Sequence, residues 1–143
     1  MLAVLVAAVV ATVGVSAWFL GRPWIRQGVY GHVILLEGGC MPPTTPYACR
    51  ESAVSRLITI RAPTPWTATY RSPQEQGTTI IASSSSGVDG YYEIALPPGR
   101  YSVFVEDRGQ EYCNRLTGDG IACPLEVPAG RLNVDLQIDH ATR

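Results

Sequence analysis

Between Ser83 and Asp107 the chain reads SSSSGVDGYYEIALPPGRYSVFVED, and its punctuation leaves the backbone little freedom. Gly87, Asp89 and Gly90 supply a turn, Tyr91 to Leu96 is a short β-prone run, and Pro97-Pro98-Gly99 turns the chain again. Arg100 to Glu106 then alternates into a second strand. Proline cannot donate to a strand ladder, and glycine takes backbone angles that other residues avoid. Pairing therefore ends and restarts where these residues stand. On the second strand Tyr101, Val103 and Val105 share the face expected to meet a core. Phe104 falls on the opposite face beside Ser102 and Glu106, where a covering loop is expected rather than a binding anchor.

The rest of the chain from Gly28 to Asp139 shows no helical period. Val29 to Leu36 reads as a strand, as do Leu57 to Ile60, Thr78 to Ala82 and Leu125 to Val127, with a further short run at Thr67 to Tyr70. In the last strand Leu132, Val134, Leu136 and Ile138 alternate with Asn133, Asp135, Gln137 and Asp139, a period of two that buries one face and wets the other. About seven short strands in about 110 residues predict an all-β fold, an antiparallel β-sandwich. A barrel is the alternative, because strand order cannot be read from periodicity.

Met1 to Leu20 (MLAVLVAAVVATVGVSAWFL) carries no charged side chain. As a helix it would span about 30 Å, the thickness of a bilayer core. Trp18, Phe19 and Trp24 cluster at its C-terminal end, where a membrane–water interface favours aromatic rings. The expectation is one N-terminal hydrophobic helix that anchors the chain in a membrane. The alternative is a signal peptide cleaved after Val15-Ser16-Ala17. Residues 21–27 read as a linker, 28–139 as the domain and 140–143 as a tail.

The four cysteines fall as two local pairs, Cys40 with Cys49 and Cys113 with Cys123. Neither has the C-x-x-C spacing of a zinc knuckle or redox motif. Each pair flanks a loop of turn formers, and closing such a loop by a disulfide removes chain entropy. Four cysteines permit three pairings, and local pairing is preferred. Cysteines in Pro/Gly-rich loops behind an exportable N-terminus indicate an oxidising compartment. The domain is accordingly expected outside the cytoplasm, on the periplasmic or exterior side of a membrane, or secreted after cleavage near Ala17.

Gly87-Val88-Asp89-Gly90-Tyr91-Tyr92-Glu93-Ile94 and Leu96-Pro97-Pro98-Gly99-Arg100-Tyr101-Ser102-Val103 together resemble the carboxypeptidase regulatory-like domain, a transthyretin-like (prealbumin-like) sandwich module with Ig-like architecture. Gly28 to Val33 resembles that module's first strand and Leu132 to Ile138 its last. The cysteine-bearing insertions depart from the module's short form. The resemblance implies a non-catalytic accessory module with a structural or protein-interaction role.

Composition and motifs point the same way. A formal net charge of −1, with eleven scattered arginines and no lysine, gives no basic face for nucleic acid. With 46% hydrophobic and 16% charged residues, disorder is not expected. Neither His32 nor His140 is followed three residues later by glutamate, so the zinc-carboxypeptidase ligand pair is missing. The tail His-Ala-Thr-Arg lacks the Tyr-Arg-Gly-Ser of the hydroxyisourate hydrolases that share the fold. An intradiol-dioxygenase iron site would need both histidines, which have no supporting motif.

The remaining motifs each favour a structural role. Ser83 to Ser86 reads as a loop linker rather than a nucleophile. Asp119, even with Asp107 and Glu111, lacks the spacing of a calcium loop. No catalytic, cofactor-binding or metal site is expected, and no cofactor. A second functional class is a carbohydrate-binding module, because planar rings stack on sugar faces. Trp66, Tyr70 and Tyr112 are the candidates, with Tyr91 and Tyr92 beside them; of that adjacent pair only one can face the core.

Overall fold

Alternation along two long strands, one near each end of the domain, organises the structure. The computed structural model describes residues 22–40, 49–66, 77–115 and 117–142. Met1–Leu20, with its expected helix, lies outside these, as do Tyr70 and the run at Thr67 to Tyr70. Among the described residues there are ten strands and no helix long and apolar enough to cross a membrane.

The first sheet is built on β1 (Gly28–Gly39), whose two halves have different neighbours. Gly28 to His32 lie between β5 (Tyr91–Ala95), antiparallel, and β9 (Arg131–Asn133), parallel. Val33 to Gly39 lie between β2 (Cys49–Ala53), antiparallel, and β10 (Leu136–Thr142), parallel. The second sheet runs β4 (Ile80–Ser85), β3 (Leu57–Arg61), β6 (Gly99–Asp107), all antiparallel. On the far side of β6, β7 (Gln110–Tyr112) and β8 (Pro124–Val127) pair with its two halves.

The all-β sandwich expected from periodicity is thus present, with two departures. Pairing is antiparallel except where the first strand meets the last, because β1 and β9–β10 run in the same direction. Among the described residues there are ten strands rather than about seven. The polar β2 and the short β7 carry no apolar alternation to announce them. The last expected strand is split into β9 and β10 at Val134–Asp135: the Val134 amide turns to the Tyr30 carbonyl (2.8 Å), and the Asp135 carboxylate takes the His32 amide (2.8 Å).

The core lies between the sheets. Val29, Val33, Tyr92, Ile94 and Ile138 come from the first; Ile58, Ile60, Val103, Val105, Leu125 and Val127 come from the second. Burying one such side chain fully contributes about 1.5–3 kcal/mol, and Val33, Ile58, Ile60 and Ile138 have no exposed surface. The central strands β3 and β6 are buried on both faces. Phe104 is covered, at 1% exposure, opposite Thr59 on the outer face. On that outer face the Thr64 amide donates to the buried Ser102 hydroxyl at 2.9 Å. On the same face the buried guanidinium of Arg61 meets both carboxylate oxygens of Glu111 at 3.1 Å.

Both disulfides have formed, Cys40 with Cys49 and Cys113 with Cys123, as local pairing anticipates. The serine run is not a loop. Ser83 to Ser85 belong to β4, and the buried Ser86 hydroxyl accepts from the Arg56 amide and donates to the Val54 carbonyl, each at 2.8 Å. Gly90 takes a left-handed φ of 77°, and a Cβ there would stand 2.8 Å from the Val33 carbonyl oxygen, so the turn before β5 requires glycine.

Residues 22–27 are bonded along the first sheet. The Trp24 amide donates to Glu93 (2.7 Å), and the Gln27 side chain reaches the carbonyls of Leu96 and Pro128 (3.0 Å each) and the Gly130 amide (2.7 Å). Arg22 pairs with Asp89 at 2.9 Å and lies 4.4 Å above the Tyr91 ring.

Candidate functional site

The sandwich is closed along one side and parted along the other. Between β8 and β9–β10 the two sheets separate into a cleft of about 400 Å³. That is near the lower end of the range for small-ligand sites, roughly 300–1,000 Å³. One wall is β6 and β8, contributing Val103, Val105 and Leu125; the other is Leu132, Val134 and Leu136. These last three are the inward set of the alternating C-terminal segment, yet each is only half-buried, whereas Ile138 further along is fully covered. The cleft is the cause of that difference. Its walls are apolar, and Asn114, Arg115, Glu126, Asp135 and Gln137 add polar and charged groups of both signs.

One end of the cleft is fixed by ties between the sheets. The Tyr112 hydroxyl on β7 accepts from the Asp139 amide on β10 at 3.2 Å. Beyond it, His140 Nε2 lies 2.7 Å from the Asp107 carboxylate, joining β10 to the end of β6. The Cys113–Cys123 disulfide holds the segment after β7 against the start of β8, and both cysteines line the cleft.

A second hollow, of about 460 Å³, adjoins the outer side of Tyr112. Trp66 and Tyr112 both line it, together with Asp107, Arg108, Gln110 and Glu111. Two of the three proposed stacking residues therefore come together, and the third, Tyr70, lies outside the described residues. Trp66 is half-buried, and its amide donates to Gly120 at 2.7 Å. Beside it Pro65 bridges to Ile121.

The other tyrosines are engaged elsewhere. Tyr92 is 2% exposed and belongs to the core, so it offers no stacking face. Burial pushes its phenol well above the ordinary value, which keeps the hydroxyl a donor, here to the Val134 carbonyl at 2.6 Å. Tyr91 faces outward as its partner in alternation, but its hydroxyl donates to Glu93 at 2.6 Å and Arg22 covers its ring. Burial and Glu93 raise its pKa as well.

The groups weighed for catalysis or metal binding are occupied by structural contacts. The exposed His32 ring stacks edge-on to Tyr91 at 5.5 Å, with Nδ1 3.8 Å from Asp135. Asp119 accepts from the Thr117 hydroxyl and from Arg100 at 2.8 Å; these two contacts bring its carboxyl down to about 2.

No family model, curated protein or solved structure matches this chain. Reading the residues alone missed the cleft, because Leu132, Val134 and Leu136 read as ordinary core. The available signal was the polar company on the facing segments, Asn114-Arg115 and Glu126, whose position opposite β9–β10 depends on the fold.

Proposed function

We propose that this chain is a non-catalytic β-sandwich module that acts outside the cytoplasm and engages a protein partner. Two disulfides are consistent with that compartment. Met1–Leu20 would hold the domain at a membrane, or would be removed by cleavage near Ala17 to release it. The resemblance of the Gly87–Val103 hairpin to the carboxypeptidase regulatory-like domain supports an accessory role, as does the use of both histidines and of Asp119 in intramolecular contacts. The observation that carries the reading is the parted side of the sandwich. There an apolar cleft opens between strand edges, a combination suited to protein contact.

A carbohydrate-binding module is the second reading, favoured by the convergence of Trp66 and Tyr112 on one hollow with four polar neighbours. Retention on insoluble glycans separates the two. Binding that Trp66→Ala abolishes in a folded protein would establish the carbohydrate reading. Absence of retention, with a protein captured by cross-linking of the full chain in its native membrane or secreted state, establishes the first.

A further inference from the structure

We propose that the cleft between β8 and β9–β10 accepts an extended segment of a partner protein, added as a strand with its alternate, apolar side chains turned inward. This rests on the protein-interaction reading and specifies its site and ligand. Leu132, Val134 and Leu136 present an apolar group every second residue over about 13 Å, the repeat with which an extended peptide presents its own side chains. A volume of about 400 Å³ suffices for about two ring-sized side chains, given that a cavity of about 150 Å³ holds benzene.

Backbone geometry distinguishes a peptide from a small apolar molecule. Among the described residues β8, β9 and β10 each have a strand on one side only. At the far end of β10 the edge is capped, since the Asp139 amide bonds the Tyr112 hydroxyl (3.2 Å) and the Ala141 amide bonds the Asp139 carboxylate (2.9 Å). Along the stretch that borders the cleft, the Val134 amide and carbonyl are bonded to the Tyr30 carbonyl and the Tyr92 hydroxyl, from the side of β1. An edge strand beside an apolar wall is the arrangement by which an extended segment adds to a sheet. The side chains of Asn114, Glu126, Asp135 and Gln137 offer both donors and acceptors. That suits a backbone with alternating N–H and C=O groups, whereas a fatty chain needs a polar partner at one end only.

The test uses the full chain in lipid nanodiscs with both disulfides intact. A capped, fluorescein-labelled peptide of about seven residues, alternating leucine and serine, is titrated and followed by anisotropy. Saturable binding is expected, weakened at least tenfold when the peptide carries N-methyl groups on alternate amides. Leu136→Trp, which fills the cleft, is expected to weaken it at least tenfold with the unfolding temperature held or raised; should that variant not fold, Val134→Thr serves, with a smaller loss. Equal binding of the N-methylated peptide overturns strand addition. Saturation by octanoate with no peptide binding assigns the cleft to a small apolar ligand, and a dimer that Leu136→Trp dissociates assigns it to a second copy; either overturns the proposal. A cross-linked partner whose capture Leu136→Trp leaves unchanged also overturns it, while the protein-interaction reading stands.

Discussion

The phenol of Tyr92 crosses the width of β1 to hold the carbonyl oxygen of Val134, at 2.6 Å, where β9 gives way to β10. Tyr92 stands opposite Gly31 in the β1–β5 register, and a Cβ built on Gly31 would lie 2.0 Å from that same oxygen. One glycine and one hydroxyl thus set the break in the last strand, and with it one wall of the cleft. Tyr92→Phe leaves the carbonyl without its donor and should cost about 1–3 kcal/mol in urea unfolding. Gly31→Ala forces backbone to move and should cost about 3 kcal/mol. An unchanged midpoint in either variant would show that the break is held by something else.

The Arg61–Glu111 pair lies almost out of solvent, with side chains 6% and 9% exposed. Removing one partner strands a buried charge, so Glu111→Ala should destabilise by about 3–5 kcal/mol. The double replacement Arg61→Met with Glu111→Leu should recover most of that loss, because neither charge is then desolvated. Chemical denaturation of the two variants side by side checks the difference; equal losses would mean that the pair matters through its shape alone.

Each disulfide closes a short local loop, and replacing both cysteines of a pair by alanine should cost about 2–3 kcal/mol. Their other effects should differ. Loss of Cys113–Cys123 also loosens a wall of the cleft, so peptide affinity should fall, whereas loss of Cys40–Cys49 should leave it unchanged. Thermal unfolding and the anisotropy titration, run on both variants, separate stability from binding.

Acid should weaken the fold through three carboxylates whose pKa values folding lowers. Asp119 falls from 3.8 to about 2 through Thr117 and Arg100; Asp89 falls below 3.8 through the Tyr91 amide, opposed by desolvation and aided by Arg22. Burial alone would raise Glu93, but hydrogen bonds from the Tyr91 hydroxyl and the Trp24 amide outweigh it and set it below 4.5. A lowered carboxyl binds its proton more weakly in the folded state. Its contribution is therefore present above the unfolded value and is lost as pH falls through the folded one. Unfolding temperature should decline as pH drops from 4.5 toward about 2, and Asp119→Asn should flatten the lower part of that decline. All three groups lie near the surface, so salt should reduce the effect.

Turn chemistry and strict alternation made the central hairpin legible from sequence, and β5 and β6 begin and end within a residue of where the prolines and glycines put them. Local cysteine spacing anticipated both bridges. Strand β2, with sequence CRESA, is held by pairing with β1 rather than by any apolar period, so nothing local announces it. The parallel match of β1 to β9–β10 and the split at Val134 are likewise tertiary, set by groups far apart in the chain such as His32 and Asp135. The Trp66–Tyr112 hollow was half visible, as aromatic residue types without their proximity. The cleft was hidden, because half-buried leucines read the same as buried ones.

The place of β1 between the two final strands and β2 or β5 has a consequence in time. Its partners β9 and β10 lie about a hundred residues further along the chain, so the first sheet has no complete form until the segments from Arg131 onward are available. Long-range pairings of this kind form slowly. Until Leu136 and Ile138 are available, β1 offers an unfilled edge, whereas the second sheet pairs without either strand. The cleft, one wall of which is β9–β10, is therefore among the later features of the fold to form.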